Sequence, residues 1–346
     1  MKPYYGPHAG ITIYHGDCKE VLSSLESGYI NCCVTSPPYW GLRDYGVNGQ
    51  LGLERTPEEY VANMVQAFRE VKRVLRDDGT LWLNIGDSYF GSYGSQRTIT
   101  NGSKAHQKSY DGLEKWRPPA AHDKMGDLKA KDLVGIPWML AFALRADGWY
   151  LRQDIIWAKP NPMPESVRDR CTRSHEYIFL LGKSARYYYD GDAIAQKCKP
   201  ATFARLSQQN LPNQHGSDRV PGKTNGPMKA CFGGRIKSVE SRKHTRLQSG
   251  REDNGNYLER GANKRSVWTV TTKPFKGAHF ATFPRDLIEP CILAGCPVGG
   301  TVLDPFIGSG TTALVAQNLK RNAVGVELNA AYIEIAAKRL MAVEVR

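Results

Sequence analysis

The first 85 residues alternate between short apolar runs, typical of buried strands, and longer segments with apolar residues at helical spacing. The apolar runs predict strands at 11–15, 30–34 and 80–85. The helical spacing predicts helices at 19–25 and 56–75. Thr56-Pro57-Glu58-Glu59 begins the second helix with a capping box, and Asp77-Asp78-Gly79 is expected to end it. Strand, helix and strand in this order indicate a parallel crossover unit.

The same alternation returns in the second half of the chain. Helices are predicted at 132–146, 285–294, 313–319 and 330–341. Strands are predicted at 149–157, 301–304 and 323–326. Two further runs, 175–181 and 186–189, flank Gly182-Lys183-Ser184 and predict an antiparallel hairpin at one edge of the sheet. The predicted fold class is therefore α/β, with a mostly parallel sheet and an antiparallel hairpin edge.

Two polar segments interrupt this pattern. Residues 88–131 are rich in Gly, Ser, Lys and Arg and predict a long mobile loop, a kind of segment that tends to be functional. Residues 191–265 hold 15 Lys and Arg against 6 Asp and Glu, so most of the net charge of +13 lies there. A solvated basic surface would explain this charge, but nucleic-acid binding is favoured because phosphates reward clustered cations. The predicted organisation is 1–190, an inserted region at 191–265, and 266–346.

Composition excludes some classes of protein. The chain has 346 residues, no apolar stretch long enough for a membrane span and no signal-peptide pattern. Its eight cysteines contain no C-x-x-C pair. They are predicted to be reduced core thiols of a cytoplasmic protein without a metal site.

A proline-rich hook, Thr35-Ser36-Pro37-Pro38-Tyr39-Trp40, follows the strand predicted at 30–34. The prolines fix φ and lack N–H groups, so their carbonyls are free of regular secondary structure. Hydroxyl and carbonyl oxygens can accept from an NH2 group, and Tyr39 can stack on a planar ring. A Pro-Pro turn with a packed tyrosine is the alternative interpretation of these residues.

A second candidate site lies at 301–327, where a strand, a glycine-rich loop, a helix and a strand form the first half of a Rossmann-like unit. Glu327, at the end of the second strand, is placed to accept from ribose hydroxyls. Two acids, Asp304 and Glu327, flank the loop and disfavour a polyphosphate. They suit a ligand with a ribose, an ammonium and a sulfonium, as in S-adenosylmethionine (SAM). Asp17 follows another strand and is either a helix cap or a ligand-binding acid.

Ser36-Pro37-Pro38-Tyr39 together with Asp304-Pro305-Phe306-x-Gly308-x-Gly310-Thr311 resembles the exocyclic-amino DNA methyltransferases of the β group, with the hook first and the SAM loop last. The resemblance spans nearly the whole chain. It implies a Rossmann-like SAM-dependent methyltransferase fold with permuted motif order, in which 191–265 is the target recognition region and double-stranded DNA is the partner. It implies a catalytic hook of Ser36, Pro37, Pro38 and Tyr39. Cofactor contacts are implied for Asp17, Cys18, His279, Ala281, Phe283, Asp304, Pro305, Phe306, Gly308, Gly310, Thr311, Thr312, Glu327 and Leu328.

The resemblance also implies a mechanism. The target base leaves the duplex, Tyr39 stacks on it, and Ser36 and the Pro37 carbonyl accept from its amine, which attacks the SAM methyl in line. The resemblance implies no covalent cysteine nucleophile. Cys291 does follow Pro290, but this pair lies within the helix predicted at 285–294 and not in the hook. Serine at the first hook position favours N4 of cytosine, with N6 of adenine as the alternative. Trp40 either walls this pocket or packs in the core.

Two other classes remain open at this point. A protein-glutamine methyltransferase uses a similar hook, but it has no reason for the basic insertion. A DNA-binding protein without activity would not need an intact hook and SAM loop. The recognised sequence and the pairing of the chain into a homodimer stay open.

Overall fold

The computed structural model of the protein describes residues 2–90, 126–198, 201, 261–272 and 283–344. The chain divides into two compact units, Met1–Tyr187 with Ser266–Arg346, and Tyr188–Arg265. Within the described part of the second unit, Gln196 and Ala262 form an antiparallel bridge with two 2.8 Å N–H···O bonds. Most of the basic segment lies outside the described residues, so its role as a recognition region stays a prediction.

The first unit contains the sheet and its helices. The described strands are β1 Tyr5–His8, β2 Ile11–His15, β3 Ile30–Thr35, β4 Leu75–Ile85, β5 Tyr150–Ala158, β6 His175–Gly182, β7 Val267–Thr269, β8 Thr301–Asp304 and β9 Asn322–Glu327. Its described helices are α1 Cys18–Ser24, α2 Pro57–Val74, α3 Ile136–Ala146, α4 Arg285–Gly295, α5 Thr311–Asn318 and α6 Ala330–Glu344. These nine strands of the described residues form one sheet in the order β1-β2-β9-β8-β3-β4-β6-β5-β7.

Hydrogen bonding and burial explain why these segments adopt their structure. Thr56 caps α2 by accepting from the N–H of Glu59 at 3.1 Å, and Pro57 occupies the first turn. Strand β3 pairs in parallel with both β4 and β8, which is why all of its residues except Asn31 are buried. Successive residues of β3 face opposite layers. Cys33 packs in the core shared with α1, α2 and α3, whereas Cys32 lies against Gly295 of α4.

The predicted hairpin is wrong in its second strand. Residues 186–189 form no strand, and the antiparallel partners of β6 are β5 and β4. Because β6 already has a neighbour on each side, no edge is left for residues 186–189. Tyr187 instead receives a 3.2 Å hydrogen bond from Nε of Arg152 on β5. The antiparallel part of the sheet is confirmed, with β5 as the partner.

Three other boundaries differ from the prediction. Helix α3 begins at Ile136 rather than 132, because Pro137 is tolerated only in a first turn. Asp77-Asp78-Gly79 does not separate α2 from a strand. It bulges within β4, between the pairings Ile30 with Leu75 and Cys32 with Thr80. Strand β1 was not predicted, and it pairs antiparallel with β2.

Residues 91–125 of the loop predicted at 88–131 lie outside the described residues. Its described ends meet through bonds from Phe90 N to Asp132 O at 2.8 Å and from Lys131 N to Phe90 O at 2.9 Å. Five cysteines (18, 32, 33, 291 and 296) are buried as predicted, and none of the seven described cysteines is in a disulfide. Cys171 is exposed, so the prediction of a core thiol is wrong there. None of the described helices has the length and hydropathy to cross a membrane.

Candidate active site

The predicted site residues gather where β2, β3, β8 and β9 end, at one edge of the sheet. Parallel strands that pair as neighbours end together, and open α/β sheets bind ligands at this carboxyl edge. The ends of β3 and β8 are joined directly: the Thr35 hydroxyl donates to Asp304 Oδ1 at 2.6 Å, and both side chains are buried. The hook and the glycine-rich loop are therefore held in a fixed relation.

The hook (residues 35–40) is anchored by a residue of α2. The buried Tyr60 hydroxyl donates to the Pro38 carbonyl at 2.8 Å. Trp40 is 1% exposed, and its indole N–H donates to the Glu54 carbonyl at 3.0 Å. Since Trp40 does not line the cavity described below, the core-packing alternative holds for this residue.

The glycine-rich loop (residues 304–312) is organised around Asp304. Its carboxylate accepts from the hydroxyls of Thr35 and Thr312, each at 2.6 Å, and from the N–H of Phe306 at 3.1 Å. Burial raises the pKa of Asp304 to about 6. Gly310 has a φ of +79°, and a Cβ there would lie 2.9 Å from Cβ of Ala336. A larger residue at 310 would therefore displace the loop.

Glu327, the second acid, lies in front of the loop. Its Oε2 accepts from the N–H of Gly308 and its Oε1 from the N–H of Asn329, both at 2.8 Å. Burial raises the pKa of Glu327 to about 7. Each carboxylate oxygen keeps a lone pair for a further donor.

Hook and loop open into one cavity of about 310 Å³. Ser36, Pro37, Pro38 and Tyr39 all line it, so the structure brings the whole predicted catalytic set together. Eight of the predicted cofactor residues also line the cavity: Asp17, Cys18, Phe283, Pro305, Phe306, Gly308, Glu327 and Leu328. Four other residues of the loop do not line the cavity: Asp304, Gly310, Thr311 and Thr312. His279 and Ala281 lie outside the described residues.

Asp17 is a helix cap that also borders the cavity, and its role as a ligand-binding acid stays a prediction. Its Oδ1 caps α1 by accepting from the N–H groups of Lys19 at 2.8 Å and Glu20 at 3.2 Å, and the residue also lines the cavity. The neighbouring Cys18 is buried, which raises the pKa of its thiol to about 12 and keeps it protonated.

Three cavity residues escaped the sequence analysis: Asn84, Lys159 and Glu176. Glu176 Oε2 accepts from the Tyr39 hydroxyl at 2.8 Å and from Asn84 Nδ2 at 3.3 Å, and its Oε1 pairs with the Lys159 ammonium. Their positions at the ends of predicted strands could have identified them. Asn84 and Lys159 stand at the carboxyl ends of β4 and β5. Glu176 is the second residue of β6, which runs antiparallel to β4 and β5 and so starts at the same edge.

Arg43 is a further cavity residue that the sequence analysis did not identify. It lines the cavity together with Tyr45 and Tyr332, whose rings pack edge to face with centroids 6.3 Å apart. The Arg43 Nη1 atom is buried and has no hydrogen-bond partner. A buried guanidinium nitrogen without an acceptor is a donor left for a ligand.

No group of three or more His, Cys, Asp or Glu side chains in the described part of the chain could hold a metal ion.

Solved structures of known proteins share this fold. A structure of the PvuII DNA methyltransferase, described as cytosine-N4-specific, matches 98% of this chain and 88% of its own with a TM-score of 0.59 at 17% identity. TTHA0409 from Thermus thermophilus, solved in complex with S-adenosyl-L-methionine, matches 95% and 94% with a TM-score of 0.52 at 23% identity. The fold is therefore the predicted Rossmann-like fold of SAM-dependent methyltransferases.

Sequence relationships give the family. The type II methyltransferase M.Cfr9I of Citrobacter freundii is 44% identical over 335 residues, which cover 96% of this chain and 88% of that relative. The family model N6_N4_Mtase, described as DNA methylase, matches residues 30–338. The chain belongs to this family of DNA methylases and is a DNA methyltransferase, as the resemblance of its two motifs predicted.

Proposed function

We propose that this enzyme transfers a methyl group from SAM to the exocyclic amine of a nucleotide flipped out of double-stranded DNA, and that the acceptor is N4 of cytosine. One observation carries the proposal: the hook and the glycine-rich loop open into the same cavity. An amine held at Ser36 and a cofactor held at Glu327 would share one enclosed space.

The cavity residues fit SAM. The free lone pairs of Glu327 suit ribose hydroxyls, and the unpartnered Nη1 of Arg43 suits an oxygen acceptor. Phe306 and Leu328 offer apolar surface to an adenine ring. When bound, SAM supplies a methyl group activated by its sulfonium. The residues that would hold it are Asp17, Cys18, Phe283, Pro305, Phe306, Gly308, Glu327 and Leu328. The loop residues that do not line the cavity would fix the conformation of the loop: Asp304, Gly310, Thr311 and Thr312.

The hook would hold the target amine. The Ser36 hydroxyl and the Pro37 carbonyl accept its hydrogens, which draws the nitrogen lone pair out of conjugation with the ring. Tyr39 offers its ring for stacking, and its hydroxyl is fixed by Glu176. Orientation and electrostatics supply most of the rate enhancement in such a direct transfer. Flipping the base costs a few kcal/mol, which DNA contacts elsewhere in the chain must offset.

The choice of base rests on the neutral first position of the hook. Ser36 offers a hydroxyl where a carboxylate would polarise the amine more strongly, and the carboxylate of Glu176 is already paired with Lys159. The PvuII enzyme, whose fold this chain shares, is described as cytosine-N4-specific. These two observations favour N4 of cytosine over N6 of adenine. The type II relative supports a site-specific enzyme that acts on a defined DNA sequence.

Mass spectrometry of hydrolysed DNA tests the proposal. Unmethylated plasmid DNA is incubated with SAM and the enzyme and then digested to nucleosides. We expect N4-methylcytosine with the wild-type enzyme and a large loss of it with Ser36→Ala. N6-methyladenine in its place would reject the assignment of the base and keep the reaction class.

A further inference from the structure

The methylated amine must lose a proton, and the site holds a set of side chains arranged to take it. Methyl transfer to an NH2 group forms a N–C bond, breaks the S–C bond and leaves the nitrogen with one hydrogen too many. Water is the trivial acceptor. The chain offers a second one, because three of its side chains form a continuous line of oxygen atoms that starts at the hook.

That line runs from Ser36 through Tyr39 to Glu176. The Ser36 hydroxyl donates to the Tyr39 oxygen at 3.3 Å, and the Tyr39 hydroxyl donates to Glu176 Oε2 at 2.8 Å. Burial, reinforced by the charge of Glu176, raises the pKa of Tyr39 well above its usual value. The phenol therefore stays protonated and can pass one proton on only as it receives another.

The carboxylate at the end of this line is held in place on several sides. Lys159 forms an ion pair with Glu176, their side chains are only 19% and 15% exposed, and Lys159 Nζ lies 4.2 Å from the centroid of the Trp157 ring. Asn84 Nδ2 donates to Glu176 Oε2 at 3.3 Å and to the Tyr177 carbonyl at 3.1 Å. The acceptor is thus charged, partly desolvated and fixed.

The Tyr39 ring and the Glu176 side chain both lie close to Gly86. Residue 86 is glycine, and a Cβ there would lie 2.7 Å from Cε2 of Tyr39 and 3.3 Å from Cγ of Glu176. The absence of a side chain at 86 allows Tyr39 and Glu176 to meet at hydrogen-bond distance.

We propose that Glu176 is the terminal proton acceptor of the methyl transfer, reached from the target amine through the hydroxyls of Ser36 and Tyr39. As the amine releases its proton to Ser36 Oγ, the serine proton passes to Tyr39 and the tyrosine proton passes to Glu176. Glu176 ends as a neutral carboxylic acid, and the methylated amine is neutral. Lys159 and Asn84 are positioning residues for this acceptor. The inference rests on the proposed function, since the hook must hold an amine.

Variants that delete one hydroxyl or one charge distinguish a proton relay through Ser36, Tyr39 and Glu176 from a purely structural role of these residues. Tyr39→Phe keeps the ring and deletes only the hydroxyl, and Glu176→Gln keeps the shape and removes the charge. Single-turnover rates on unmethylated plasmid DNA should fall by roughly 10²-fold for each variant, the usual contribution of a positioned proton acceptor. The double variant should be no slower than either single one, because both interrupt the same serial path. Affinities for SAM and DNA, measured without turnover, should stay within about twofold.

Two more variants test whether the lower rates come from misfolding instead of loss of the proton acceptor. Lys159→Met with Glu176→Gln removes both charges, so no ammonium is left unpaired, and its rate should match that of Glu176→Gln. Asp147→Asn is the matched control. Asp147 is 14% exposed, pairs with Arg69, and lies near the start of β5, away from the cavity. Its rate should equal that of the wild type.

A wild-type rate for Tyr39→Phe would overturn the relay. So would a double variant about 10⁴-fold slow, because multiplied effects mean independent roles. The identity of the product is a separate outcome. N6-methyladenine would reject the proposed base and leave the relay intact, since either amine loses one proton.

Discussion

The hook and the glycine-rich loop follow neighbouring parallel strands, end at the same edge of the sheet and share the bond between Thr35 and Asp304. They use their side chains in opposite ways. The hook turns Ser36 and Tyr39 into the cavity, whereas the loop turns Asp304 into the core. The acid that faces the cavity next to the loop is Glu327, which comes from the end of β9. The hook exposes its functional side chains to the cavity, whereas the conformation of the loop depends on a buried side chain, Asp304.

The backbone explains this difference. Two prolines fix φ in the hook, and the Tyr60 hydroxyl holds its backbone at the Pro38 carbonyl. The loop must instead bring its main chain close to a ligand at Gly308, and both of its glycines, Gly308 and Gly310, have positive φ, +52° and +79°. A flexible glycine-rich segment needs an anchor, and Asp304 supplies it through three hydrogen bonds.

Among variants that test the difference between the hook and the loop, Asp304→Ala is expected to have the largest effect on stability. It leaves two buried hydroxyls and one N–H without an acceptor, so the free energy of unfolding should fall by about 3 kcal/mol. SAM binding should weaken too, although Asp304 does not line the cavity. Urea denaturation and calorimetry measure the two effects. Thr312→Val, which loses one of the same bonds, should cost about 1 kcal/mol and weaken SAM in the same direction. Unchanged SAM affinity in a folded Asp304→Ala protein would show that the loop does not depend on its anchor.

Glu327→Gln should weaken SAM binding more than it lowers the stability of the fold, the reverse of what is expected for Asp304→Ala. The amide keeps one acceptor oxygen but loses the charge, so SAM affinity should fall by roughly tenfold, or about 1.4 kcal/mol. The unfolding free energy at pH 8 should fall by less than in Asp304→Ala, because one of two N–H bonds keeps its acceptor and burial already disfavours the ionised form. Loss of stability comparable to that of Asp304→Ala would remove the distinction between the two acids.

A smaller effect is expected from pH. The pKa of Glu327 is raised from 4.5 to about 7 in the folded protein, so between these values the folded state holds a proton that the unfolded state has released. The unfolding free energy of the ligand-free enzyme should therefore fall as pH rises from about 4.5 to about 7. The part due to Glu327 is on the order of 2 kcal/mol. Asp304 contributes with the same sign at lower pH, so the curve of Glu327→Gln must be subtracted. Identical pH curves for the two proteins would contradict the assignment.

The sequence predicted the chemistry of both regions but not the direction of their acids. Asp304 and Glu327 both end strands, and nothing in their spacing shows that one faces inward. Glu176 escaped because it begins an antiparallel strand, whose partners depend on sheet order rather than on local pattern. The same dependence made the hairpin at 186–189 wrong. Local signals such as the Thr56 cap and the end of β3 before the Pro-Pro pair were reliable, since their physical cause lies within a few residues.

The most direct measurement is calorimetric titration of SAM into Tyr39→Ala and Glu327→Gln, with turnover measured on the same samples. If the hook acts on the base and the other region holds the cofactor, Tyr39→Ala binds SAM within about twofold of the wild type and turns over at least roughly 10²-fold more slowly. Glu327→Gln shows the weakened SAM binding instead. A loss of SAM affinity in Tyr39→Ala equal to that in Glu327→Gln would contradict the division of roles between the two regions.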